Sequence, residues 1–215
     1  MRMTGRRFCT ILLFLALTLA AVGGPCYAWI YDGGPVGRAF GGVGATSDTV
    51  WATQPFQLAS DAYLTGFDAA VAKAMGSAGV GYNVYLTTTL HDVTANSIGK
   101  WTVYPTGPIA AYHSVQTNAP IKLDAGVVYF LTFIPNSNNF VGSIAFSSWA
   151  GYYALATPDY GQTWGLMAKP LCVHVDGYFV PEPSTWATLL VGVAGLAGLT
   201  LVRRRYVSRA GAGRA

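Results

Sequence analysis

The stretch Val80-Gly81-Tyr82-Asn83-Val84-Tyr85-Leu86-Thr87 decides the fold class. Val80, Tyr82, Val84 and Leu86 fall on one side of an extended chain, with Asn83, Tyr85 and Thr87 opposite. That two-residue period belongs to a strand with one face buried. Further along, residues 127–134 are apolar on both faces, which marks a strand in the middle of a sheet. Ile121-Lys122-Leu123 precedes it across Asp124-Ala125-Gly126, a turn signal that predicts a hairpin. Upstream, Tyr63, Thr65, Phe67, Ala69 and Val71 alternate onto one face. Downstream, residues 135–139 read as a second turn, and residues 144–146, 152–155 and 171–180 as further strands. Valine, Tyr, Phe and Thr dominate these runs, and such side chains pack well on a pleated surface. No segment of residues 29–179 sustains a 3.6-residue period with caps, and no internal repeat is present. The expectation is an all-β domain, a single antiparallel β-sandwich of jelly-roll type over residues 29–179.

Of the 215 residues, 52% are apolar and only 10% charged, against about 25% charged in an ordinary soluble chain. The apolar and aromatic content excludes disorder. A coiled coil is excluded because Glu occurs once, at Glu182. The net charge of +4 suggests a nucleic-acid partner until it is divided along the chain. Residues 29–180 hold five basic residues and eight aspartates, a balance of −3. The positive excess sits at the two ends, so no nucleic-acid partner is expected.

Those ends read as targeting segments. Arg2, Arg6 and Arg7 precede an apolar run at residues 11–22, and Pro25-Cys26-Tyr27-Ala28 follows. A basic start, a short apolar run and a small-residue end describe a secretory signal peptide over residues 1–28. Near the other end, residues 186–202 are 17 residues without a charge. As a helix they reach about 26 Å, near the hydrocarbon thickness of about 30 Å, and are expected to cross the membrane. Arg203, Arg204 and Arg205 follow at once, and positive residues stay on the cytoplasmic side. Residues 207–215 are then a cytoplasmic tail, and the sandwich faces outward.

Between sandwich and helix lies Val180-Pro181-Glu182-Pro183-Ser184. Pro181 and Pro183 fix φ and hold this segment extended, as a processing enzyme would require. This motif, followed by an apolar helix and by Arg203, Arg204 and Arg205, resembles the PEP-CTERM sorting signal of Gram-negative bacteria, here at residues 180–206. The resemblance implies an exosortase, a membrane-embedded cysteine transpeptidase, as processing partner. It implies removal of the helix, transfer to a surface anchor, and a setting in which exopolysaccharide is made. The patterns at residues 56–58, 63–71 and 123–131 are similar to the choice-of-anchor sandwich domains found on such anchors.

Candidate sites within the domain are few. Cys172, His174 and Asp176 share one face of the last strand by their i, i+2, i+4 spacing. They suit a nucleophile–base pair or metal ligands, but stand about 6.6 Å apart along a strand, so the preferred reading is a half-covered polar face. With cleavage after Ala28, Cys172 is the one cysteine of the mature chain, and a buried thiol is expected. Trp149, Tyr152, Tyr153, Tyr160 and Trp164 cluster within sixteen residues, as candidate sugar-stacking rings or as core. Asp61, Asp68 and Asp124 lack calcium-loop spacing and read as turn residues. No cofactor and no metal site is expected. Motifs of serine hydrolases, zinc proteases and phosphate-binding loops are absent from the sequence. The functional expectation is an exported, surface-anchored, non-enzymatic protein associated with extracellular polysaccharide. The alternatives are a carbohydrate-binding module proper and, further off, a matrix hydrolase working through aspartates.

Overall fold

The computed structural model describes residues 28–35, 50–75, 78–148, 153–167, 169–180, 191–196 and 198–199. Its strands are β1 (Ala28–Asp32), β2 (Trp51–Gln57), β3 (Ala62–Met75), β4 (Tyr82–Thr87), β5 (Gly99–Val103), β6 (Ala111–Leu123), β7 (Val128–Pro135), β8 (Val141–Ile144), β9 (Leu155–Thr157), β10 (Gly165–Leu166) and β11 (Val173–Phe179). They form two antiparallel sheets. One runs β1-β11-β3-β6, with β8 taking the place of β11 beside the far end of β3; the other runs β10-β9-β2-β7-β4-β5. Only β4–β5 and β9–β10 are consecutive strands paired with each other. Every other connection carries the chain from one sheet to the other, which is the jelly-roll-like alternation expected of this domain.

The core lies between the sheets. Phe67 of β3 is fully buried and meets Trp101 of β5 edge-on at 5.3 Å and Phe133 of β7 at 6.5 Å. Rings from opposite sheets thus interlock in the offset geometry that aromatic quadrupoles favour. The alternation of Tyr82, Val84 and Leu86 faces this core as the sequence predicts. Strand β7 lies between β2 and β4 and is buried on both faces over most of its length, so its reading as a central strand holds.

Two expectations are corrected. The Asp124-Ala125-Gly126 turn does not close a hairpin: β6 pairs with β3, whereas β7 pairs with β2 and β4 in the other sheet. The turn is an arch between sheets. Gly126 supplies the positive φ of 75°, and the N–H groups of Asp124, Ala125 and Gly126 donate to the Tyr129 hydroxyl, the Asp61 carboxylate and the Leu58 carbonyl. Turn chemistry reverses the chain but does not choose the ladder that the next strand joins. The second correction concerns Tyr63. A bulge between Leu64 and Gly66 shifts the register of β3 against β6, and an extra residue exchanges the two faces. Leu64, Phe67, Ala69 and Val71 therefore point into the core, while Tyr63 stacks on Tyr178 at 5.3 Å.

The expected signal peptide, residues 1–28, lies outside the described residues except at Ala28, as does most of the expected membrane helix, residues 186–202. Residues 191–196 are helical. No helix among the described residues is long and apolar enough to cross a membrane.

Candidate functional site

The outer face of the five-stranded sheet carries most of the domain's unusual chemistry. Its register aligns Asp32 of β1, His174 of β11, Asp68 of β3 and Ser114 of β6 in one row. The next row is Trp29, Asp176, Gly66 and Gln116. His174 is buried in the middle: Trp29 stacks on it at 4.0 Å and 28°, Tyr112 at 5.0 Å and 25°. Its Nε2 lies 3.1 Å from Asp32 Oδ1, which also accepts the Gly34 N–H at 2.7 Å. A carboxylate oxygen accepts, and Nε2 is placed to donate to it. The Tyr112 hydroxyl lies 3.5 Å from that nitrogen and 3.5 Å from the Gly34 carbonyl.

The sequence grouping of Cys172, His174 and Asp176 is thus real as a shared face, but their environments differ. Cys172 is a fully buried thiol packed with Ala70 and Ala145. Asp176 is half-buried; burial and, secondly, the Asp68 carboxylate raise its pKa above the ordinary 3.8, with His174 acting the other way. Burial raises the Tyr112 phenol to about 12, and interactions with Cys172, Asp32 and Asp68 push in the same direction. His174 is committed to Asp32 and to two rings, which makes the row a structural tie with an aromatic surface. No group of three His, Cys, Asp or Glu residues among those described is arranged to hold a metal ion. Trp29, Asp32 and Tyr112 went unnoticed in the sequence, because they meet His174 across 62 to 145 positions of chain.

The aromatic segment divides. Trp149 and Tyr152 lie outside the described residues. Tyr153 and Tyr160 are half exposed. Trp164 packs against Tyr85, Val93 and Ile134 on the outer face of the six-stranded sheet, and its buried Nε1 has no hydrogen-bond partner among the described residues. Tyr160 sits edge-on to Trp51 at 6.5 Å and has a positive φ of 57°, followed by Gly161 at 83°. The loop is held by Asp159, whose carboxylate accepts from the Thr157 and Thr163 hydroxyls and the Thr163 N–H, while its backbone carbonyl accepts the Gln162 N–H. The bonds to the carboxylate, the Thr157 hydroxyl first, lower its pKa to about 2.

Asp61 and Asp124 do not converge on an ion site with Asp68. Both lie beside Lys122, at 3.4 and 2.7 Å. The Ala125 N–H, and then Lys122, lower the Asp61 pKa.

Beyond the last strand, the Val180 N–H still donates to the Asp61 carbonyl at 2.8 Å. From Phe179 to Arg205 the chain matches the PEP-CTERM protein-sorting motif, residues 179–205. The match takes in Val180, Pro181, Glu182, Pro183, Ser184 and the three arginines Arg203, Arg204 and Arg205. The carboxyl-terminal segment thus carries a PEP-CTERM protein-sorting motif, which supports an exosortase-sorted surface protein. The motif implies an exosortase as processing partner and a secreted, membrane-anchored precursor destined for the cell surface. No curated protein matches the chain.

Proposed function

We propose that the sandwich is a non-enzymatic surface domain that associates with extracellular polysaccharide after sorting. The observation that carries this is the attachment of the sorting motif directly to β11. The domain delivered to the surface is thus the sandwich itself, and it exposes aromatic rings that can stack on sugar faces. Tyr153 and Tyr160 at one edge, and Trp29 and Tyr112 on the five-stranded sheet, are such rings. The engagement of His174 by Asp32 and two rings supports a binding role over catalysis.

The test is the mature mass from the native host with and without its exosortase, together with retention of the protein on the host's own exopolysaccharide. A chain ending within Pro181 to Ser184 that is retained by the polymer supports the proposal. An intact carboxyl terminus in both strains, or a processed chain that ignores the polymer, overturns it. A second reading, a sugar-binding module centred on Tyr153, Tyr160 and Trp164, is favoured by the half-exposed rings of Tyr153 and Tyr160. It predicts loss of retention in Tyr153→Ala and Tyr160→Ala with the fold intact.

A further inference from the structure

We infer that the outer face of the five-stranded sheet is a binding surface for a polymer bearing ammonium groups, specifically a de-N-acetylated amino-sugar chain. The inference rests on the polysaccharide reading above and names its face and its chemistry.

Three observations converge on it. First, the two central rows hold Asp32, Asp68 and Asp176 but no lysine or arginine. None of the salt bridges among the described residues engages Asp68 or Asp176. Lys122 of the neighbouring β6 is taken up by Asp61 and Asp124. Second, Asp68 and Asp176 lie in adjacent rows of neighbouring strands, where burial first and then repulsion from Asp68 disfavour the ionised Asp176. A cation placed over them relieves that repulsion, as an opposite charge favours an ionised group. Third, the carboxylates stand beside a ring stack whose two outer members remain open: Trp29 is 52% and Tyr112 41% exposed. An indole face attracts a cation and accepts the apolar side of a pyranose. A primary amine on a sugar ring satisfies both features at once. A neutral sugar leaves the carboxylate repulsion in place, and an acidic one adds to it. The domain's net charge of −3 over residues 29–180 steers the same class of polymer.

The test uses the full-length protein in a detergent without a sugar headgroup, slightly below neutral pH. Binding is followed by tryptophan emission against glucosamine oligomers, N-acetylglucosamine oligomers, the host exopolysaccharide and polylysine. The expected result is glucosamine binding that weakens with salt and falls at least about tenfold in Asp68→Asn/Asp176→Asn. Trp29→Ala loses it as well. The two Asn replacements are nearly isosteric, and a cooperative thermal melt no lower than the parent's confirms their fold. Equal binding of the N-acetylated oligomer, or full binding by the double variant, overturns the inference. Polylysine binding without glucosamine binding overturns it in favour of a protein partner. Binding of the host polymer that is indifferent to these substitutions overturns the inference and leaves the proposed function standing. Binding of no saccharide overturns both.

Discussion

The Nε2 of His174 lies 3.1 Å from the Asp32 carboxylate and thereby joins the last strand of the sandwich to the first through side chains. Strand β1 pairs with β11 alone, so this contact and the Trp29–His174 stack add to a single ladder. His174→Ala removes both and leaves the buried side of Asp32 short of a donor. We expect a loss of about 1–3 kcal/mol, read by chemical denaturation, with a red shift of Trp29 emission as β1 loosens. Stability and emission equal to the parent would show that β1 is held by its backbone ladder alone.

Asp176→Asn should stabilise the protein at neutral pH. Because burial and Asp68 raise the folded-state pKa above 3.8, the ionised form costs stability at every pH above that raised value. The cost shrinks as pH falls through it and vanishes below 3.8, where both folded and unfolded chains are protonated. The variant's melting temperature should therefore exceed the parent's at neutral pH and converge with it in acid. A gain that persists below 3.8 would point to packing instead.

Asp159 makes the opposite prediction. Its lowered pKa of about 2 means that its hydrogen bonds contribute stability above 3.8, lost as pH falls toward 2. Asp159→Ala frees the hydroxyls of Thr157 and Thr163 and relaxes the turn that holds Tyr160 at positive φ. Limited proteolysis should cut the variant within residues 157–163 at neutral pH. The parent should become equally sensitive only near the acid end. Equal resistance of the two proteins at neutral pH would show that the turn holds without its carboxylate.

Phe67→Ala should cost about 3–5 kcal/mol, the range for deleting a fully buried ring. The ring touches Trp101 and Phe133 of the opposite sheet, so the loss should accompany a changed near-ultraviolet dichroism of Trp101. A cost under about 1 kcal/mol, the size of a tolerated volume-conserving swap, would mean that the sheets re-pack without it.

The sequence made legible what depends on local period. The alternation of Tyr82, Val84 and Leu86 and the double-sided run of β7 placed those strands correctly, because burial acts on each strand's own face. Partner choice was not legible. Asp124-Ala125-Gly126 has the residues of a tight turn, yet the pairing of β6 with β3 is set by contacts far away in sequence. The Leu64–Gly66 bulge likewise left no local mark and reversed the side on which Tyr63 emerges. At the candidate face, the spacing of Cys172, His174 and Asp176 showed one strand's contribution. Trp29, Asp32 and Tyr112 arrive from β1 and β6, and no pattern within any one segment connects them. The sorting motif was legible in full because its recognition depends on a contiguous peptide.

The position of β11 has a mechanical consequence. The strand that leads into the sorting motif is paired with β3 along its whole length and with β1 as well over His174 to Gly177. Tension from the cell surface enters the sandwich at the end of that strand. To pull β11 out, drag must shear two ladders together; an edge strand would peel bond by bond. Attachment through an interior strand thus makes the sandwich harder to open from the end that carries the sorting motif than attachment through an edge strand would.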